Sequence, residues 1–165
     1  MRILVFTEGT VLMHGSGAGC SREERVRQVR EHEASVHDFS TYVPIGRAAG
    51  KLGRWHGQGA TLLYLTSRTA ADDIQLVERA LSSHRFPSGR LFHRLKGEEY
   101  AEVAKRVRPD ILIEDDCESI GGSEQMASHG LGKRSAIRVI AVKEFSGIDG
   151  LPDSLRELEQ LSAQP

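Results

Sequence analysis

Short apolar runs recur along this chain at residues 3–6, 62–65, 111–113 and 137–142, with a weaker one at 91–92. They show little of the polar alternation of a half-exposed strand, so they suit strands covered on both faces. Between them the apolar residues change period. Ile45, Ala48, Ala49, Leu52 and Trp55 form one helical stripe. Ile74, Val77 and Leu81 form a second, and Tyr100, Val103, Ala104 and Val107 a third. Strands alternating with helices imply right-handed crossovers. The expected fold is α/β, a doubly wound, Rossmann-like parallel sheet of five strands flanked by helices.

Punctuation supports this layout. Thr69 followed by Asp72 predicts a capping box before the second helix, Pro87 and Gly89 separate that helix from the weak strand, and Pro109 stops the third helix before Ile111. The stretch between the first two strands is longer than one crossover helix needs. An insert is therefore expected over roughly residues 13–40, a flap or small cap that opens on HGSGAGC and carries a polar helix started by Ser21 and Glu24. With 165 residues, 39% apolar and 27% charged, residues 1–165 are expected to form a single domain. The C-terminal LPDSLRELEQL reads as a closing helix.

Charge and cysteine content bound the setting. A net charge of −1 gives no bulk attraction to nucleic acid or acidic membrane. The two cysteines, Cys20 and Cys117, occur without a leader or an apolar run near 18 residues, so a cytoplasmic protein with reduced thiols and no membrane partner is expected. Segment 84–108 holds seven Arg or Lys against three Glu, but its aromatics are too few for a stacking platform, and a nucleic-acid partner is not expected. GSGAG lacks dinucleotide-fingerprint spacing and reads as a mobile flap. His32 and His37 stand five apart, about 140° around a helix, unlike the i, i+4 pair of a zinc motif, and read as structural or surface residues.

Ligands of open α/β sheets sit at the carboxyl ends of the strands. There the first strand delivers Thr7, Glu8, Gly9 and Thr10, the second Thr66, Ser67 and Arg68, and the fourth Glu114, Asp115 and Asp116, while Lys96 precedes the third helix. Three adjacent carboxylates would repel one another unless a cation or solvent relieves them.

In order along nearly the whole chain, VFTEGTVL, YLTSR, LKGEEYAEVAKRVRPD and ILIEDDCES resemble the four motifs of the haloacid-dehalogenase-like (HAD) superfamily. The resemblance implies a Mg²⁺-dependent phosphohydrolase acting on a phosphorylated small molecule or a macromolecular phosphoester. It implies phosphate binding by Gly9, Thr10, Thr66, Ser67 and Lys96, and metal binding by Glu8, Asp115 and Asp116. The family's first motif is Asp-x-Asp-Gly-Thr, whose first Asp attacks phosphorus and whose second is the acid/base. Matching Gly-Thr places Phe6 at the nucleophile and Glu8 at the acid/base, whereas matching the strand end places Thr7 at the nucleophile. The catalytic set is then Thr7, Glu8 and Lys96, with Thr7 expected as the first residue to face the cleft. Neither alignment supplies an Asp. A Thr hydroxyl needs an activating base and Phe offers no nucleophile, so doubtful classical activity follows, and loss of the carboxylate that the family also uses as a metal ligand implies weak Mg²⁺ binding. Glu8 could attack in place of the Asp; the alternative is a degenerate protein that binds a phosphorylated ligand without turnover.

Overall fold

The computed structural model describes residues 1–132 and 135–161. The chain begins with β1 (Arg2–Phe6) and continues through β2 (Leu12–Met13), α1 (Arg22–Arg30), β3 (Val43–Pro44), α2 (Ala48–Gly57) and β4 (Thr61–Leu65). It then runs through α3 (Ala71–Ser83), β5 (Arg90–Phe92), α4 (Tyr100–Val107), β6 (Ile111–Asp115), β7 (Arg138–Val142) and α5 (Leu155–Gln160).

Five strands form a parallel sheet in the order β5-β4-β1-β6-β7. The central strand, β1, pairs Ile3 with Leu62 and with Ile111, and Val5 with Tyr64 and with Ile113. Successive strand side chains point to opposite faces, so unbroken apolar runs feed two cores. Ile3, Val5, Leu62 and Tyr64 pack with Leu52, Trp55, Val77 and Leu158, from α2, α3 and α5. Leu4, Leu63, Leu65 and Leu112 pack with Val103, Ala104 and Val107 of α4 on the other face. The expected doubly wound, five-stranded α/β sheet is thus observed.

One cap differs from its prediction. Helix α3 starts from Ala70 with no side-chain cap, and Asp72 and Asp73 lie in its first turn. The capping box is at α4, where Glu99 and Glu102 exchange side-chain and backbone hydrogen bonds.

The segment after β1 is a folded cap. Antiparallel β2 and β3 close its base, pairing Met13 with Val43 and Leu12 with Pro44. Between them lie α1 and three 3-10 turns, at Gly15–Gly17, Ala34–His37 and Phe39–Thr41. Helix α1 begins as its sequence suggests, with the Ser21 hydroxyl accepting from the Glu24 N–H at 3.1 Å. The glycine-rich stretch, expected as a mobile flap, forms the first of these turns, pinned by a buried His14–Gln28 side-chain hydrogen bond of 2.8 Å and by Ser16 to Ser35 at 2.9 Å. Val26 and Met13 pack with Ile45 and Phe145, joining the cap to the body.

Candidate functional site

The loop leaving β1 is shaped by a glycine. Gly9 has φ +79, and a Cβ there would lie 2.7 Å from Asp115 Oδ2, so both its backbone and its neighbour require glycine. Its N–H donates to the Leu12 carbonyl and its carbonyl accepts from the Phe145 N–H at 2.7 Å. This tight return turns Glu8 toward the end of β4. There the Glu8 carboxylate accepts from the Thr66 hydroxyl at 2.5 Å, the Ser67 N–H at 3.0 Å and the Thr7 hydroxyl at 2.8 Å. The Arg68 guanidinium stands 3.9 Å from the same carboxylate, donates to the Ser67 hydroxyl, and lies 4.2 Å above the Phe39 ring. A hydroxyl, an N–H and a guanidinium converging on two oxygens form an anion seat, and the Glu8 oxygens fill it.

The order of Phe6 and Thr7 departs from expectation. Thr7 is fully buried, its hydroxyl within reach of Glu8 and of the Leu65 carbonyl at 3.1 Å, so it does not face the cleft. Phe6 lines the cavity, its ring edge-on to Tyr100 with centroids 5.1 Å apart. The sheet covers the chain for one residue past the end of its apolar run.

The acidic stretch ending β6 disperses its charges. Glu114 accepts from the N–H groups of Ala127 and Ser128 at 2.7 and 3.0 Å. Asp115 accepts from the Thr10 hydroxyl at 2.8 Å and the Cys117 N–H at 3.0 Å, and Asp116 from the Glu144 N–H at 3.0 Å. Main-chain and hydroxyl donors thus relieve a repulsion that the sequence leaves to a cation or to solvent. Burial raises the Asp115 carboxyl to about 7, against the lowering effect of its two donors and with nearby Glu144 and Asp116 adding to the rise. Burial likewise pushes Glu144 and the Cys117 thiol up. Among the described residues no three His, Cys, Asp or Glu side chains gather into a metal-holding group. Of the three expected metal ligands, Glu8 lies in the anion seat, Asp115 accepts from Thr10 and Cys117, and Asp116 accepts from the Glu144 N–H.

Lys96 stands apart. It is exposed in a separate depression with Thr69, His93 and Glu98, outside the lining of the Glu8 cavity. The start of α4 is closed by its own capping box, and Glu98 pairs with Arg106 at 2.9 Å, so that helix terminus offers no free anion site. The residue of this segment that reaches the cavity is Tyr100, under the Arg94 guanidinium at 4.2 Å. The structure therefore groups Glu8 with Thr66 and Ser67 and, beside them, Gly9 and Thr10 with Asp115. Asp116 turns to the Glu144 backbone.

Glu8, Gly9, Ser67 and Asp115 line a cavity of about 270 Å³ between body and cap. His32 and His37, which the sequence presents as ordinary surface histidines, line its cap side. Glu144 does not figure among the sequence candidates. It is buried just past the end of β7 and accepts from the Ser119 N–H and hydroxyl at 2.7 and 2.6 Å, while its N–H holds Asp116. Its place beyond Lys143, just past the end of an apolar run, is the signal that points to it. Arg22 ties the cap to this region through Glu118 at 2.8 Å and the Glu144 carbonyl at 3.2 Å. No helix among the described residues is long and apolar enough to cross a membrane.

No family model matches the sequence, and no curated protein matches it. Solved structures do. The chain is similar to a class C acid phosphatase from Bacillus anthracis, with a TM-score of 0.58 and 10% identity over 88% of this chain and 67% of that one. A HAD family hydrolase from Deinococcus radiodurans, solved with bound phosphate and sodium, gives 0.52 and 12% over 98% and 88% of the two chains. A haloacid dehalogenase-like hydrolase from Streptococcus pneumoniae gives 0.51 and 12% over 99% and 90%. Shared strand architecture over almost the full chain at such low identity is a likeness of fold, and the chain has the haloacid-dehalogenase-like fold.

Proposed function

We propose that this chain binds a small phosphorylated molecule and does not carry out acyl-phosphate hydrolysis. The observation that supports this reading is the first loop: Phe6 lines the cavity at the end of β1, and the Glu8 carboxylate sits on the Thr66 hydroxyl and Ser67 N–H. The Glu8 oxygens stand where two phosphoryl oxygens would be held. A phenyl ring has no lone pair with which to attack phosphorus. The Thr7 hydroxyl touches a carboxylate, yet at zero exposure it has no space for a phosphorus atom in line with it. Glu8 cannot attack from its seat, because an attacking carboxylate and the group it attacks would claim the same donors.

A phosphorylated ligand enters this scheme by exchange. Its phosphoryl oxygens take the Thr66 and Ser67 donors, Glu8 swings out, and Arg68 offsets the added charge. The cap encloses the cavity, which favours a small molecule over a macromolecular phosphoester. Magnesium has no assigned step in this exchange.

Phosphate release from p-nitrophenyl phosphate, with and without millimolar Mg²⁺, tests the reading beside calorimetric titration with inorganic phosphate. The expected result is phosphate binding with no release above background. Mg²⁺-dependent release that Glu8→Gln abolishes would overturn it in favour of a Glu8 nucleophile.

A further inference from the structure

The chain has few aromatic residues, five Phe, three Tyr and one Trp. Five of these nine, Phe6, Phe39, Tyr42, Tyr100 and Phe145, line the cavity that holds Glu8. They come from four separate stretches of chain: the end of β1, the cap segment from the Phe39 turn to the residue before β3, the start of α4 and the loop after β7. Such convergence is not the by-product of one amphipathic element. The rings are also organised, with Phe39 and Tyr42 stacked at 5.7 Å and 28°, and Phe6 and Tyr100 edge to face at 5.1 Å and 74°.

Cavity size and charge narrow the ligand further. Native cores rarely keep voids larger than a water molecule, and an apolar cavity of about 150 Å³ accepts benzene. About 270 Å³ is therefore room for a fused two-ring body. Arg68 joins the two halves of the site, with its guanidinium over Phe39 and 3.9 Å from the occupant of the anion seat. Resting on the phosphate-binding reading above, we propose that the ligand is an aryl phosphomonoester, its phosphoryl group exchanged for Glu8 on Thr66 and Ser67 and its rings against the aromatic walls. A polyol phosphate would leave those aromatic walls uncovered.

Calorimetric titration of the intact protein with naphthyl phosphate, naphthol and glycerol phosphate separates the aryl half of the ligand from the phosphoryl half. Naphthyl phosphate is expected to bind at least tenfold more tightly than either of the others. Phe39→Leu, which keeps apolar volume but removes the ring under Arg68, is expected to weaken naphthyl phosphate severalfold and by a larger factor than it weakens glycerol phosphate, which loses only the seating of Arg68; an equal loss for both would overturn the aryl contact. Glycerol phosphate binding as tightly as naphthyl phosphate would overturn the aryl assignment and leave the phosphate-binding reading standing. Naphthol binding as tightly as naphthyl phosphate would overturn the anion seat, and with it the phosphomonoester. Failure of all three to bind would overturn both.

Discussion

Glu8→Ala empties the anion seat, and the size of the effect follows from the hydrogen bonds that the carboxylate makes there. It accepts three, from Thr66, Ser67 and Thr7. Hydrogen bonds to a charged group contribute about 1.5–3 kcal/mol each, and a donor left buried without a partner bears the full cost of its desolvation. That limit is not reached here, because the Glu8 side chain is 14% exposed and water can follow it to the freed donors. A net destabilisation of about 2–3 kcal/mol is expected, a fall in Tm of roughly 5–10 °C for a chain of this size. Phosphate should then restore what alanine removes. An anion at about 100 times its Kd adds about 2.7 kcal/mol to the state that binds it, enough to cancel the deficit. Wild type should gain less, since its own carboxylate competes for the same donors. The assay is thermal melting of both proteins with phosphate, against chloride at matched ionic strength. An alanine variant as stable as wild type, or one that phosphate stabilises no more than wild type, would refute the seat.

Three further outcomes follow from the same geometry. Phe6→Asp is expected to fold and to be the position where trifluoroberyllate trapping or slow phosphate release emerges, whereas Thr7→Asp puts a carboxylate at zero exposure and costs several kcal/mol in urea denaturation; gain of function at Thr7 alone would reverse the alignment. Asp115→Asn should match wild type near pH 4 and exceed it above pH 7: a carboxyl raised from 3.8 to about 7 keeps its proton while the unfolded chain loses one, so wild-type stability drains as pH rises through that window, by on the order of 4 kcal/mol, and a gap independent of pH would refute the shift. Gly9→Ala meets both a positive φ and the Asp115 carboxylate, and should cost about 1–3 kcal/mol in urea denaturation, with only part recovered when Asp115→Ala removes the clash.

The sheet is legible in the sequence because β1, β4 and β6 are covered on both faces, which writes a continuous apolar run into each. The seat is half legible. Thr66 and Ser67 end a buried strand and meet Glu8 as the strand-end rule suggests. The order of Phe6 and Thr7 is not, because apolarity does not equal burial: Phe6 is half-buried on a cavity wall while polar Thr7 is enclosed by Leu65 and Glu8. Lys96 misleads for a different reason, since sequence gives the position of a long side chain but not its direction, and the Glu99–Glu102 box already uses the helix start. The aromatic walls are invisible in the sequence, because Phe39 and Tyr42 come to line the same cavity as Phe6 and Tyr100 only through tertiary folding.

The ribbon formed by Leu12–Met13 and Val43–Pro44 gives the cap a single doorway. Topologically, everything between those strands is the loop of one hairpin, and doubling such a loop raises its closure cost by only about 0.6 kcal/mol. The registers that β1 keeps with β4 and β6 do not run through it. The cap's share of the cavity wall, Phe39 and Tyr42, therefore lies on chain that carries none of the five-stranded sheet, unlike Phe6, which is both wall and strand. Inheritance can redraw Phe39 and Tyr42, or lengthen the turns that carry them, without renegotiating a single strand pair.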